Sequence, residues 1–310
     1  VTDMLPGDDR RLKTTSVFEG YNLVELKKKR GFWHQYMRNN LQLNNGDGTF
    51  SEVGQLAGVH ATDWSWGALI FDMDNDGKKD IFVANGIAKD LTDQDFVDFL
   101  GDRNTMQQML DGKKFDYKEF TDKISSVPIP NYAYKNEGDL KFSNQVKAWG
   151  LEGPGFSNGS AYGDLDNDGD LDLVTNNLNE KASVYQNNSR QLLKHNFVKV
   201  KFKGDGGNTF GIGAKVILKT KDGQQLQQMM PTRGFMSSVD PTLLFGIGDL
   251  QQVDEMLVIW ENEKMQIVKN PTINTTLTME QKNATVNVKD YVFSVPIKPL
   301  FLEVTAGITV

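Results

Sequence analysis

The stretch Asp72-Met73-Asp74-Asn75-Asp76-Gly77-Lys78-Lys79-Asp80 occurs twice, and its repetition points to the architecture. The second copy is Asp164-Leu165-Asp166-Asn167-Asp168-Gly169-Asp170-Leu171-Asp172. Both read D-x-D-x-D-G-x-x-D and run into short apolar segments, Ile81-Phe82-Val83-Ala84 and Leu173-Val174. Carboxylates this dense repel one another unless a cation sits among them. Hard oxygen ligands at alternating positions suit Ca²⁺, which takes about 6–8 oxygens at roughly 2.3–2.6 Å. The glycine lets the backbone turn sharply, so that later ligands face the same ion.

An EF-hand shares the opening of this pattern but needs a bidentate Glu at loop position twelve and a helix on each side. Position twelve is Val83 in one copy and Thr175 in the other. The segment after each loop is short, apolar and partly β-branched, which predicts a strand. The reading is therefore two nine-residue calcium loops. Asp72, Asp74, Asp76 and Asp80 supply side chains to the first, and Asp164, Asp166, Asp168 and Asp172 to the second. The backbone carbonyls of Lys78 and Asp170 complete the two sets. The alternative is a pair of acidic surface turns without metal.

The loops belong to a longer repeat. Phe50 and Phe142 are 92 residues apart, as are Asp72 and Asp164. The same shift matches Asn44 with Asn136, Gly58 with Gly150, Ser65 with Ser157, Gly67 with Gly159 and Asn85 with Asn177. Around Asn45-Gly46-Asp47-Gly48, strong turn signals lie between apolar residues and predict a hairpin. The repeat is thus hairpin, connection, strand, Asp loop, strand, and such units suggest propeller blades. The repeat is long because residues 91–124 change period. Thr92 with Asp95 marks a helix start. Phe96, Phe99, Leu100, Arg103, Gln107 and Leu110 come next at helical spacing, with Phe115, Phe120 and Ile124 on a second helix.

Other patterns carry less. Lys27-Lys28-Lys29-Arg30 reads as a solvated face rather than a site for anionic sugars or lipids. Trp64 and Trp66 read as packing residues more readily than as a sugar platform. Gly155-Phe156-Ser157-Asn158-Gly159 matches the nucleophile elbow, but the serine precedes a strand instead of a helix, and the three histidines offer no base in context. A net charge of -7 argues against nucleic-acid binding. No apolar run reaches the ~18–20 residues of a membrane span. Without cysteine there is no disulfide framework.

After Asn187-Asn188-Ser189 the texture becomes alternating strands with glycine turns. Phe197-Val198-Lys199-Val200-Lys201-Phe202 predicts a strand with one buried and one wet face. Ala214–Leu218 and Leu257–Trp260 predict others. Gly211, Gly213, Gly246 and Gly248 predict bulges or tight corners rather than a phosphate site.

These residues carry a resemblance. The two Asp loops with their hairpins resemble FG-GAP/VCBS repeats, the calcium-binding blades of integrin-type β-propellers. Residues 195–282 resemble the ASPIC/UnbV domain through Asn208-Thr209-Phe210-Gly211-Ile212-Gly213-Ala214-Lys215-Val216, Phe245-Gly246-Ile247-Gly248 and Val258-Ile259-Trp260. The pairing is similar to secreted or surface-attached VCBS-repeat proteins of Bacteroidetes, related to the cartilage acidic protein family. The expected class is all-β: partial propeller blades over 1–190 with a helical insertion at about 91–124, then a β-sandwich-like ASPIC/UnbV domain.

Residues 283–310 are expected to form a linker and the start of a further blade, because Phe301-Leu302-Glu303-Val304 echoes Phe50-Ser51-Glu52-Val53. Val1-Thr2-Asp3 reads as the tail of an earlier strand. Two blades cannot close a ring of the usual ~4–8, so either the chain is a piece of a longer propeller, with contacts to missing blades of a larger protein, or its two termini supply strands of shared blades. The resemblance implies an extracellular or cell-surface (outer membrane-associated) binding or adhesion module for a protein or glycan, with two structural Ca²⁺ ions. The alternative is a calcium-dependent enzyme acting on polysaccharide.

Overall fold

The computed structural model describes residues 1–16, 19–34, 36–110 and 117–293. Strand β1 (Met4–Leu5) is followed by helices α1 (Asp9–Thr15) and α2 (Tyr21–Lys29). Lys27, Lys28 and Lys29 lie in the last turn of α2, where cations favour the C-terminal dipole, and Lys28 pairs with Glu25. The turn-rich stretch closes a hairpin of β2 (Gln42–Asn44) and β3 (Phe50–Glu52), as expected.

Strands β4 (Asp63–Phe71) and β5 (Asp80–Asn85) flank the first Asp loop. Alternate residues of β4 are buried, whereas β5 is buried throughout, as a strand covered on both faces must be. The insertion forms α3 (Gln94–Gly101), α4 (Arg103–Leu110) and α5 (Tyr117–Asp122). Its start is one residue later than expected: Asp93, not Thr92, caps α3 by accepting from the Asp95 and Phe96 amides. The expected continuous helix breaks at Asp102, whose extended backbone ends α3 and whose carboxylate caps α4 through Asn104 and Thr105. Phe96, Phe99 and Phe120 form one aromatic cluster. Phe115 and the 301–304 echo lie outside the described residues.

The first blade is completed by β6 (Tyr132–Gly138) and β7 (Lys141–Asn144), in the antiparallel order β1-β4-β5-β6-β7. Strands β8 (Ser157–Gly163), β9 (Asp172–Asn177) and β10 (Ser183–Tyr185) form the second sheet. The repeat extends to a backbone irregularity. The register slips between Ser65 and Ala68 in β4, and between Ser157 and Ser160 in β8. Ser157 is buried on β8, donates to Asn177 Oδ1 at 2.9 Å and accepts from Asn131 Nδ2 at 3.1 Å, so it is a strand residue bonded to two asparagines.

Helix α6 (Ser189–Leu193) leads into a sandwich of β11 (Asn196–Lys203), β12 (Lys215–Thr220), β13 (Gly223–Gln228), β14 (Thr242–Gly248), β15 (Glu255–Ile259), β16 (Lys264–Lys269), β17 (Thr276–Glu280) and β18 (Val286–Asn287). A three-stranded sheet, β14-β11-β17, faces a five-stranded one, β13-β12-β15-β16-β18. Val198, Val200, Phe245, Val258 and Trp260 fill the core between them. The register slip opposite Asn196 and Phe197 places a bulge at Gly246–Gly248, as those glycines implied.

The expected wet face of β11 is a correction. Lys201 and Lys203 are exposed, but Phe197 and Lys199 are buried. The reason is that β11 is covered twice. Its Val198 side meets the sandwich core, while Phe197 joins Leu69, Phe71, Phe82, Leu171 and Leu244 in a core shared with both blades. Between Pro231 and Val239 a small hairpin, closed by a Thr232–Ser238 bridge, reaches the inner strands β4 and β8. A Cβ on Gly67 would lie 2.8 Å from the Phe235 nitrogen, and one on Gly159 would lie 2.8 Å from Ser237 Oγ. The Trp66 ring lies tilted against Phe235, with centroids 4.8 Å apart, and donates Nε1 to Gly86 O, so it packs as expected. Among the described residues, no helix is long and apolar enough to cross a membrane.

Candidate metal centres

Each Asp loop joins two neighbouring strands of one blade, so its ends are fixed by a ladder. Within the loops Asn75 and Asn167 take φ near +60°, and Gly77 and Gly169 take φ of 91° and 96°. These left-handed residues fold the acidic side chains onto one side. In the first loop one oxygen each from Asp72, Asp74 and Asp80 lies within 4.8 Å of the others, and all three residues are buried. In the second loop the converging set is Asp164, Asp166 and Asp168. Asp76 and Asp172, also expected as ligands, lie outside these two triads.

The hydrogen bonds show how the loops are held. Asp72 Oδ2 accepts from Gly77 N at 2.9 Å, and its Oδ1 is buried without a partner. Asp74 and Asp76 both accept from Lys135 Nζ. Asp80 accepts from Met73 N and Asn136 N, each at 2.8 Å. Asp172 repeats this arrangement with Leu165 N and Asn187 N, again at 2.8 Å. Asp164 Oδ2 accepts from Lys199 Nζ at 2.9 Å, and Asp164 Oδ1 is buried and unpartnered. Asp166 and Asp168 accept from Gln186 and Gln191. The Asp170 carboxylate turns toward α6, accepting from Ser189 Oγ and Arg190 N.

Burial pushes Asp72 up to about 7, with the charges of Asp76 and Asp74 adding to the effect and Lys79 opposing it. Asp80 is likewise pushed up to about 7 by burial, against the lowering effect of its two amide partners. Buried carboxyl groups near neutral pH are what a desolvated acidic cluster produces before a cation compensates it. Buried oxygens almost always have a partner, so Asp72 Oδ1 and Asp164 Oδ1 fit a cation as the missing one. A cluster built from carboxylates alone fits Ca²⁺ better than a soft metal.

An FG-GAP-like repeat family matches residues 32–83, and the ASPIC and UnbV family matches residues 204–286. The chain combines an FG-GAP repeat with an ASPIC/UnbV domain. The first match contains the whole first Asp loop, and the 92-residue shift extends the same architecture to the second. No curated protein matches the chain. FG-GAP repeats are typical of extracellular β-propeller proteins and often bind Ca²⁺.

Residues outside the motif also build the FG-GAP loops, and the motif does not announce them. Asn187 Nδ2 donates to Met73 O at 2.7 Å and to Leu171 O at 3.0 Å, tying the two loops together. Its amide is therefore occupied, although Asn187-Asn188-Ser189 has the spacing of a glycosylation sequon. Asn136 holds the first loop in the corresponding way, donating Nδ2 to Lys79 O. The only sequence trace of this role is the Asn44–Asn136 match in the repeat. Lys199 lies on β11 and His195 just before it, both ahead of the ASPIC/UnbV match, and His195 Nδ1 lies 2.7 Å from Asp74 O. No local pattern links them to a loop.

Proposed function

We propose that the chain is a calcium-stabilised extracellular binding or adhesion module for a protein or glycan, within a larger surface protein. Two Ca²⁺ ions tie together the two strands that flank each Asp loop and hold the FG-GAP scaffold rigid. The observation that carries this reading is the pair of buried, unpartnered oxygens, Asp72 Oδ1 and Asp164 Oδ1, each inside a three-carboxylate cluster. The set Asp72, Asp74, Asp76, Asp80 and the Lys78 carbonyl supplies one ion. Asp164, Asp166, Asp168, Asp172 and the Asp170 carbonyl supply the other.

The contact surface is assigned to the helical insertion, where Leu91, Val97 and Met106 are exposed. Exposed apolar side chains on α3, on α4 and in the turn before α3 suit a partner surface. Equilibrium dialysis with calcium tests the metal reading: two ions bind per chain, and Asp72→Asn and Asp164→Asn each remove one. A glycan array and a screen of surface proteins, run with calcium, test the binding reading. Retention of two ions by both variants would contradict the assignment.

A further inference from the structure

A crevice of about 320 Å³ lies between the first blade and the ASPIC/UnbV domain, lined in part by Lys79, Tyr162, Arg233 and Asp240. Its cations have unused donors. Among the described residues the Lys79 ammonium makes no hydrogen bond or ion pair; burial lowers its pKa, the charges of Asp72 and Asp80 oppose this, and the charge of Arg233 adds to it. Arg233 sits on the small hairpin that docks against β4 and β8. Its Nη2 donates to Gln228 O at 3.4 Å, a long contact, while its Nε is buried and has no acceptor. The Tyr162 hydroxyl lies beside the guanidinium, and its ring stacks on Phe71 at 4.4 Å. Asp240, the acid of the crevice, accepts from Thr242 Oγ1 and forms no ion pair with either cation.

Two cations that repel each other at the rim of one crevice are an unfavourable arrangement on their own. A buried donor without an acceptor, here Arg233 Nε, is equally uncommon. An oxyanion between them resolves both, because a guanidinium and an ammonium together bind carboxylate or sulfate oxygens by charge-assisted hydrogen bonds. We propose that this crevice binds one oxyanionic group, a carboxylate or a sulfate ester, between Lys79 Nζ and the Arg233 guanidinium, with the Tyr162 hydroxyl as a further donor. The backbones bearing these groups come from the first blade, the second blade and the ASPIC/UnbV domain, so the site exists only when the three are docked. That the anion belongs to an acidic glycan rests on the binding reading above; the anion site itself does not.

Calorimetric titration of the whole chain with sodium sulfate and with sodium glucuronate, at constant ionic strength, tests the site. Saturable one-to-one binding of at least one probe is expected, weakened by about tenfold or more in Lys79→Met and in Arg233→Met and largely retained in Lys79→Arg. Sulfate alone binding assigns an ester, and glucuronate alone assigns a carboxylate. Arg233 is on a surface hairpin, so its variant reports even if Lys79→Met fails to fold, and a melting curve of each variant checks this. Absence of saturable binding by either probe, or unchanged binding in Arg233→Met, would overturn the proposal. Calcium dialysis is a separate measurement, so failure of the anion site and failure of the calcium reading are distinguishable.

Discussion

Gly67 and Phe235 touch backbone to backbone: a Cβ on the glycine would stand 2.8 Å from the Phe235 nitrogen. The contact joins the inner strand of an FG-GAP blade to a hairpin of the ASPIC/UnbV domain. Gly159, 92 residues on, meets the same hairpin at Ser237. Alanine at 67 must push the hairpin away or distort the strand, whereas at 159 the Ser237 hydroxyl can rotate away and only the Phe235 carbonyl, 3.3 Å off, must give slightly. Gly67→Ala is expected to destabilise by about 1–3 kcal/mol, the usual cost of overpacking. Urea unfolding measures this. A loss confined to the interface also raises hydrogen exchange at residues 231–239 while β5 stays protected.

Arg11 is the keystone of the N-terminal segment. Its Nε and Nη2 reach Asp63 at 2.5 and 3.0 Å, and Nη1 and Nη2 reach Asp90 at 3.1 and 3.0 Å. Both acids are buried. Arg11→Met leaves two buried carboxylates without their cation, which costs about 3–5 kcal/mol. Arg11→Lys recovers little of it, because an ammonium cannot make two forked pairs. Denaturant melts of the three proteins test the order wild type, Lys, Met.

Glu255 sets part of the acid limit. Burial raises its affinity for a proton, but Lys269, Tyr291 and Lys219 bond its two oxygens and hold it down at about 2. A carboxyl depressed in the folded state contributes stability above its unfolded value, near 4.5, and loses it as pH falls toward 2. Glu255→Gln should therefore be less stable than wild type at pH 6, with the gap closing between pH ~4.5 and ~2. A constant gap across that window would contradict the assignment.

Asn187 braces both loops through the Met73 and Leu171 backbone carbonyls. Asn187→Ala is expected to lower stability by about 1–3 kcal/mol in calcium and in chelator alike. Asp74→Ala and Asp166→Ala should instead lower the melting temperature in calcium and change little in chelator. The contrast between these variants separates loop scaffolding from cation binding.

The repeat was legible in the sequence because its acids are local: one glycine and alternate acids within nine residues set the loop, and Asn44–Asn136 hinted at its brace. The sandwich was legible from β-branched alternation and glycine bulges. The features that escaped depend on distant pairing. Lys199 alternates with Val198 and Val200 and so reads as wet. Only the docking of the blades on that side of β11 buries it against Asp164. Arg11 with Asp63 and Asp90, and Phe235 with Gly67, likewise join segments that no spacing rule connects. The helix break at Asp102 was hidden because an aspartate serves equally well on a helix surface and as the cap of the next helix.

Calcium binding by the two Asp loops is tested most directly by a thermal melt of the purified chain in about 1 mM calcium, in equal magnesium and in chelator. Extracellular calcium modules bind at roughly 10⁻⁴–10⁻³ M, so 1 mM calcium is about one to ten times the dissociation constant and each site gains roughly 0.4–1.4 kcal/mol. The expected result is a rise of several degrees with calcium, little with magnesium, and loss of the rise in the Asp72→Asn, Asp164→Asn double variant. A melting temperature indifferent to all three conditions would contradict calcium binding and leave the two Asp loops as turns held by Lys135, Lys199 and Asn187 alone.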